Sequence, residues 1–291
     1  MKKVEVSIIL STKNFKDIEK INENFQDSQL SYEIIAVGPS EKNYEIDKLK
    51  IIQSFTKPVQ CLEIAKNISI GDWLLIWSDD MFFLEIKKDN LKNLIDLAKN
   101  NKNSLISCQL VNEINRDLNS YRYDTSNPNS PILPCAAPLK NEWIKSNGFY
   151  DKNFIATLAD IDFYLRLMSK GFKVKIGDIK IIEKHKSNYS LNSDYHSKDR
   201  GVLNKFWLKN INRGVIEREN EISPFNKNQL NLPQGPRGRW IFNNSFYFNY
   251  CLNLYFKVSN EIFKFYIIKK FVYIFLKQIQ KITKKFYFYF F

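Results

Sequence analysis

The sequence predicts an α/β fold built on a doubly wound, mostly parallel sheet flanked by helices. Three observations carry that expectation. Short apolar runs recur at residues 4–10, 32–37, 49–52 and 73–77, and each is closed by polar or turn-forming residues. Stretches with helical spacing alternate with them, the pattern of β-α-β units. The hydrophobic fraction of 44% over 291 residues supports a sizeable core, so disorder is not the default.

Residues 4–10 read as a first strand ending in the polar Ser11-Thr12-Lys13-Asn14, with a helix over 17–25 that places Ile18, Ile21 and Phe25 on one face. Residues 32–37 form a second strand closed by Gly38-Pro39-Ser40, and 49–52 a short third one. A helix over 59–70, spaced through Leu62, Ala65 and Ile68, stops at Gly71. The run Trp73-Leu74-Leu75-Ile76-Trp77 has no alternation, which marks a strand buried on both faces. Further on, 91–98 is helical, 104–111 a strand, and 119–138 a loop punctuated by prolines at 128, 131, 134 and 138. A short helix over 141–147 stops at Gly148, an amphipathic helix over 158–170 stops at Gly171, and 172–176 and 179–182 read as two closing strands.

Chemistry concentrates where the 73–77 strand stops on Ser78-Asp79-Asp80. Ligands of open parallel sheets collect at the carboxyl ends of the strands. Two acids there make a hard-oxygen site suited to Mg²⁺ or Mn²⁺ carrying a phosphorylated ligand. A solvated Asp-Asp turn is the plainer alternative.

Four cysteines at 61, 108, 135 and 251 form no CxxC pair, which argues against a zinc site or disulfide framework and suits a reducing cytoplasm. The start, Met1-Lys2-Lys3, passes straight into a strand pattern with no visible signal peptide. The net charge is +13, and residues 257–291 hold eight Lys against one Glu, about half of that excess. An acidic partner is expected for this tail.

Taken together, the ordered motifs resemble those of the family 2 inverting glycosyltransferases of the GT-A fold, over about residues 4–210. "VSIILSTKN" resembles that family's opening strand and Thr-x-Asn turn, and "GDWLLIWSDD" its strand ending in Asp-x-Asp. "NGFYDKNF" resembles its Gly-Gly-Phe-Asp segment, "ADIDFYLRL" its Glu-Asp-x-Asp-Leu helix, and "HKSN" falls where a strand-following His is expected. The resemblance implies a metal-dependent transfer of a sugar from a nucleotide-diphosphate donor to a hydroxyl of a glycan or lipid-linked acceptor, as in polysaccharide biosynthesis. It places Mn²⁺ or Mg²⁺ on Asp80 and His185. It puts Thr12, Asn14, Asp79 and Asp162 at the nucleotide sugar, with Asp160 as the base that takes the acceptor proton. Asp162 is the competing base, although at i,i+4 it is also expected to pair with Arg166 and brace the helix. Thr12 and Asn14 also suit plain turn formation, His185 an exposed strand-end position, and His196 a loop.

Three positions depart from the family pattern. Val37-Gly38-Pro39-Ser40 carries no acid where the second strand usually ends in Asp, Glu63 stands in place of an Asn, and Ala159 replaces an acid before Asp160. These departures keep two alternatives open, a catalytically inactive scaffold binding glycan or membrane and a sugar nucleotidyltransferase. Against the latter, Ser11-Thr12-Lys13-Asn14 lacks the glycine such a loop uses.

The expected organisation is a catalytic domain over 1–222, a Pro/Gly linker over 223–240, and a basic aromatic helical tail over 241–291. No run in the tail reaches 18 uncharged apolar residues, so it is expected to lie on an anionic membrane surface rather than cross it. Packing on the catalytic domain is the second choice, and nucleic acid the third. The expected location is cytoplasmic, peripheral at the inner face of the cell membrane.

Overall fold

The computed structural model describes residues 3–13, 15, 18–40, 43–54, 56–85, 89–111, 118–119, 122–124, 126–127, 130–184, 193–226 and 230. Contacts divide the chain into two units, Met1–Ser54 with Pro58–Leu230, and Phe55–Lys57 with Asn231–Phe291. Everything that follows concerns the first. The tail over 241–291 and the linker beyond 226, Leu230 apart, lie outside the described residues.

Element order is β1 (Val6–Ser11), α1 (Ile18–Glu23), β2 (Tyr32–Gly38), β3 (Tyr44–Ile46), β4 (Leu49–Gln53), α2 (Pro58–Ile68), β5 (Trp73–Ile76), β6 (Met81–Phe83), α3 (Asn90–Asn100) and β7 (Ser104–Val111). There follow β8 (Leu118–Asn119), β9 (Leu139–Lys140), α4 (Asn141–Asn147), α5 (Ala159–Met168), β10 (Lys173–Glu183) and α6 (Ser193–Ile211). The larger sheet runs β3-β4-β2-β1-β5-β9, and the smaller runs β6-β10-β7-β8. In the larger, β4, β2, β1 and β5 are mutually parallel while the edge strands β3 and β9 are antiparallel. This is the mixed, mostly parallel α/β architecture expected of apolar-rich strands: β2 is buried at every residue, and Ile8, Ile9 and Leu10 of β1 are fully buried.

Two parts of the sequence expectation change. The closing segments at 172–176 and 179–182 are one strand, β10, which pairs with β7 on both sides of an irregularity between Ile176 and Lys180. Gly177-Asp178 reads as a break because turn residues also make bulges. Secondly, α6 is a 19-residue helix that polar surface residues hide from a periodicity count, and His196 lies on it rather than in a loop.

The amino-terminal edge of the larger sheet is tied by a buried polar cluster. Glu33 on β2 accepts from Ser7 Oγ at 2.6 Å, Lys50 Nζ at 2.9 Å and the Ile70 amide at 2.9 Å, and Ser7 Oγ accepts from the Gly71 amide at 2.9 Å. A Cβ at Gly71 would stand 2.5 Å from the Ser7 nitrogen, so the turn that ends the α2 segment needs glycine to reach this cluster.

Candidate active site

Parallel strands in register deliver Gln53, Gly38, Ser11 and Trp77 to one edge of the larger sheet. At that edge Thr12, just past β1, donates its hydroxyl hydrogen to the Asp79 carboxylate, just past β5. The contact spans 67 positions of sequence and joins two of the residues expected at the nucleotide sugar. Asn14, the third, lies outside the described residues.

The turn carrying the acids is built from its own sequence. The Met81 amide donates to the Ser78 carbonyl at 3.3 Å, and the Trp77 indole N–H to the Met81 carbonyl at 2.9 Å. Ser78 Oγ donates to Asp80. Trp77 itself is core, edge-on to Phe25 at 5.2 Å and against Phe83 at 5.0 Å. Its burial anchors the turn, and Asp79 and Asp80 are left half-exposed at its tip.

Across the turn, β10 pairs antiparallel with β6, and the Lys184 amide donates to the Asp80 carbonyl at 2.8 Å. His185 lies outside the described residues. Among the described residues no group of three or more His, Cys, Asp or Glu side chains is placed to hold a metal. Two half-exposed carboxylates on one turn are nonetheless the donor type a hard divalent cation takes.

Gly38 explains the missing acid at the end of β2. A Cβ there would stand 1.9 Å from the Thr12 carbonyl oxygen and 3.3 Å from Phe15. The Thr12 amide bonds the Val37 carbonyl at 3.1 Å, while the Gly38 carbonyl accepts from Ser40 and Ser54 at 2.8 and 2.7 Å. The post-β1 turn occupies the space that a side chain at 38 would fill.

Asp160 sits half-buried in the first turn of α5, where the backbone amides of Asp160 and Ile161 bond its carboxylate. Burial pushes the carboxyl up from its ordinary value, and those amides pull it partly back. A raised carboxyl near a helix start is the state a general base needs. The residue before the helix, Leu158, is left-handed at φ +60°, and so is Ala136 at φ +47° beside Cys135. Cys135 interacts electrostatically with both Asp160 and Glu183, the last residue of β10. Held left-handed backbone at non-glycine residues stores strain that surrounding structure must overcome.

For Leu158 the restraint comes from α6. Asp199, fully buried, accepts from the amides of Ile155, Ala156 and Thr157 at 2.9, 2.8 and 2.8 Å. Leu158 itself offers no side-chain cap, so Asp199 supplies acceptors to the approach of α5 from 42 to 44 positions away. His196 Nδ1 lies 3.4 Å from Thr157 Oγ1 on the same segment. Asp199→Ala is expected to destabilise by about 2–3 kcal/mol, since one buried and two part-buried amides lose their shared carboxylate acceptor. Denaturant unfolding checks this.

Asp162 is placed differently from the expectation that puts it at the nucleotide sugar. Its carboxylate is fully buried and accepts from Arg166 Nε at 3.0 Å, Trp207 Nε1 at 2.8 Å and Arg218 Nε at 2.9 Å. Arg218 also donates to Asp151 at 2.7 Å, and Arg166 donates to the carbonyls of Asn147, Gly148 and Phe149. Two acids and two guanidiniums thus weld the "NGFYD" segment to α5. The expected Arg166 brace is present, and Asp162 is its anion, with no exposed oxygen to offer a ligand.

Glu63 belongs to the same framework. From α2 it accepts the Tyr150 amide at 3.3 Å and pairs with Lys66 at 3.1 Å. Asp199, Arg218 and Tyr150 have no counterpart in the sequence expectation, because each acts through partners that no local spacing announces. A cavity of about 390 Å³ between α3 and β10, lined by Glu85, Asn93, Asp96 and Lys180 among others, contains none of the expected site residues.

No protein-family description matches the chain, and no curated protein does. Among solved structures it is similar to S. aureus TarS, with a TM-score of 0.47 and 12% identity, over 62% of this chain and 37% of that one. It is also similar to S. aureus TarS 1-349, with a TM-score of 0.43 and 15% identity, over 63% of this chain and 59% of that one. The chain therefore spans less than two thirds of the length of either protein.

Proposed function

We propose that the chain is an inverting glycosyltransferase moving a sugar from a nucleotide-diphosphate donor to a hydroxyl of a glycan or lipid-linked acceptor. The observation that supports it most is the contact of Thr12 with Asp79 at the carboxyl edge, on the turn that also presents Asp80. Thr12, Asn14 and Asp79 hold the nucleotide sugar, and Asp160 takes the acceptor hydroxyl proton as the new glycosidic bond forms opposite the departing diphosphate. Asp80, with His185, would hold Mg²⁺ or Mn²⁺, which supplies positive charge to the leaving phosphates. Asp162 acts as a brace. The tail meets an anionic membrane surface at the cytoplasmic face; among the described residues no helix is long and apolar enough to cross a membrane.

A thermal-shift panel of UDP-, GDP-, CMP- and dTDP-sugars, with and without Mn²⁺, tests this. One nucleotide class is expected to raise the melting temperature in a Mn²⁺-dependent way, because a ligand bound only by the folded state stabilises it. Asp80→Ala is expected to abolish that shift while leaving the unliganded melting temperature within about 2 °C of the parent, as suits a half-exposed turn residue. A panel without response overturns the transferase and leaves the inactive scaffold.

A further inference from the structure

The cavity of about 390 Å³ between α3 and β10 falls in the size range of small-molecule sites, and polar side chains dominate its walls. On α3, Asn90, Asn93, Leu97 and Asn100 follow one another at helical spacing, a stripe that runs about 15 Å along the helix. Opposite them, Asp178 and Lys180 flank the buried Ile179 at the irregularity in the pairing of β10 with β7. The side chains of Asn93, Asn100, Asp178 and Lys180 make no hydrogen bond or ion pair among the described residues. Asn90 is the most informative member of the wall. It is only 7% exposed, its Nδ2 donates to the Glu85 carbonyl at 2.6 Å, and its Oδ1 has no partner among the described residues. A buried carboxamide oxygen left open on a cavity wall calls for a donor to fill it.

The composition of the wall selects that donor. A divalent cation takes oxygen donors alone, but Lys180 puts an ammonium into the wall, and among the described residues no group of three His, Cys, Asp or Glu side chains is placed to hold a metal. An anion would meet Glu85, Asp96 and Asp178. An apolar ligand would strand the carboxamides. A neutral polyhydroxyl chain meets none of these objections. Each hydroxyl both donates and accepts, as each carboxamide does, and Leu97 and Ile179 offer apolar surface to the C–H face of a sugar ring.

We propose that this groove is an oligosaccharide-binding subsite, separate from the edge where Thr12 meets Asp79. The β6–β10 ladder joins the two places: the Lys184 amide bonds the Asp80 carbonyl at one end, and the Leu84 amide bonds the Lys180 carbonyl at 3.0 Å at the other. Four residues of strand separate these ends, about 13 Å. The assignment stands on the chemistry of the groove and does not depend on the transfer reading.

The test is saturation-transfer NMR on the full chain with maltotriose, cellotriose, mannotriose and tri-N-acetylchitotriose, repeated on the double variant Asn93→Ala/Asn100→Ala. Both positions are exposed and alanine favours helix, so the unliganded melting temperature should not fall. At least one trisaccharide is expected to bind, and the double variant to weaken it about tenfold or more, since each lost hydrogen bond is worth up to about a factor of ten. Asp80→Ala should leave that binding unchanged. Silence from all four sugars, or equal binding by the parent and the double variant, overturns the proposal. So does a groove that takes Mn²⁺ or spermidine instead, seen as stabilisation by either that disappears in the double variant while no sugar responds. Binding lost in Asp80→Ala but kept in the double variant puts the sugar at the acid turn and also overturns it. A flat nucleotide-sugar panel beside trisaccharide binding that depends on Asn93 and Asn100 removes the transferase and leaves the groove.

Discussion

Asp162→Ala is expected to destabilise the protein by about 3–5 kcal/mol, lowering the melting temperature by roughly 10 °C or more. The substitution removes the shared anion of two guanidiniums whose side chains are only 8% and 7% exposed, and leaves the Trp207 indole N–H unpaired. Asp151 remains to balance Arg218, but Arg166 keeps only carbonyls. A cation buried without its counter-charge is among the most costly defects a fold can carry. Replacing Asp162 with Asn should be milder, since one acceptor oxygen survives, and denaturant unfolding of both variants ranks them. If Asp162→Ala unfolded at the parental midpoint and lost only donor binding, the brace assignment would be wrong.

Gly38→Ala is expected to cost about 3 kcal/mol and to weaken donor binding at least tenfold. The added carbon would stand 1.9 Å from the Thr12 carbonyl oxygen. That neighbour is backbone, so it moves only if the turn after β1 moves, and Thr12 then leaves Asp79. Gly201→Ala is the matched control, for a Cβ on that helical glycine meets nothing within 4 Å. It should be neutral or stabilising by up to about 1 kcal/mol. Unfolding midpoints and the nucleotide-sugar thermal shift together separate the two effects: Gly38→Ala should fail in both, Gly201→Ala in neither. Equal behaviour of the pair would remove the steric account of why this strand ends without an acid.

The strands were legible because burial on both faces writes itself into composition: β5 is an unbroken apolar run, β2 and β7 are rich in apolar residues, and their bounds fall within two residues of those expected. The turn acids were legible for a related reason, since Trp77 at the end of a buried strand must hand over to polar residues. Asp162 was half legible. Its spacing to Arg166 announced the pair, but Trp207 and Arg218, which take its other oxygen, lie 45 and 56 positions away. Asp199 was invisible for the same reason, as was α6, whose polar face masks its period. Gly38 looked like a lost ligand; only the fold shows that its hydrogen is a spatial requirement of Thr12.

The buried cluster around Glu33 sits at the end of the sheet opposite the proposed site. It fastens β1, β2, β4 and the amides of Ile70 and Gly71 at their shared amino-terminal margin. Bonds at this margin hold β1, β2 and β4 in the register that, at the far end of the same strands, sets Thr12 against the turn after β5. The alignment of the proposed site is thus anchored at the end of the sheet that never meets a substrate.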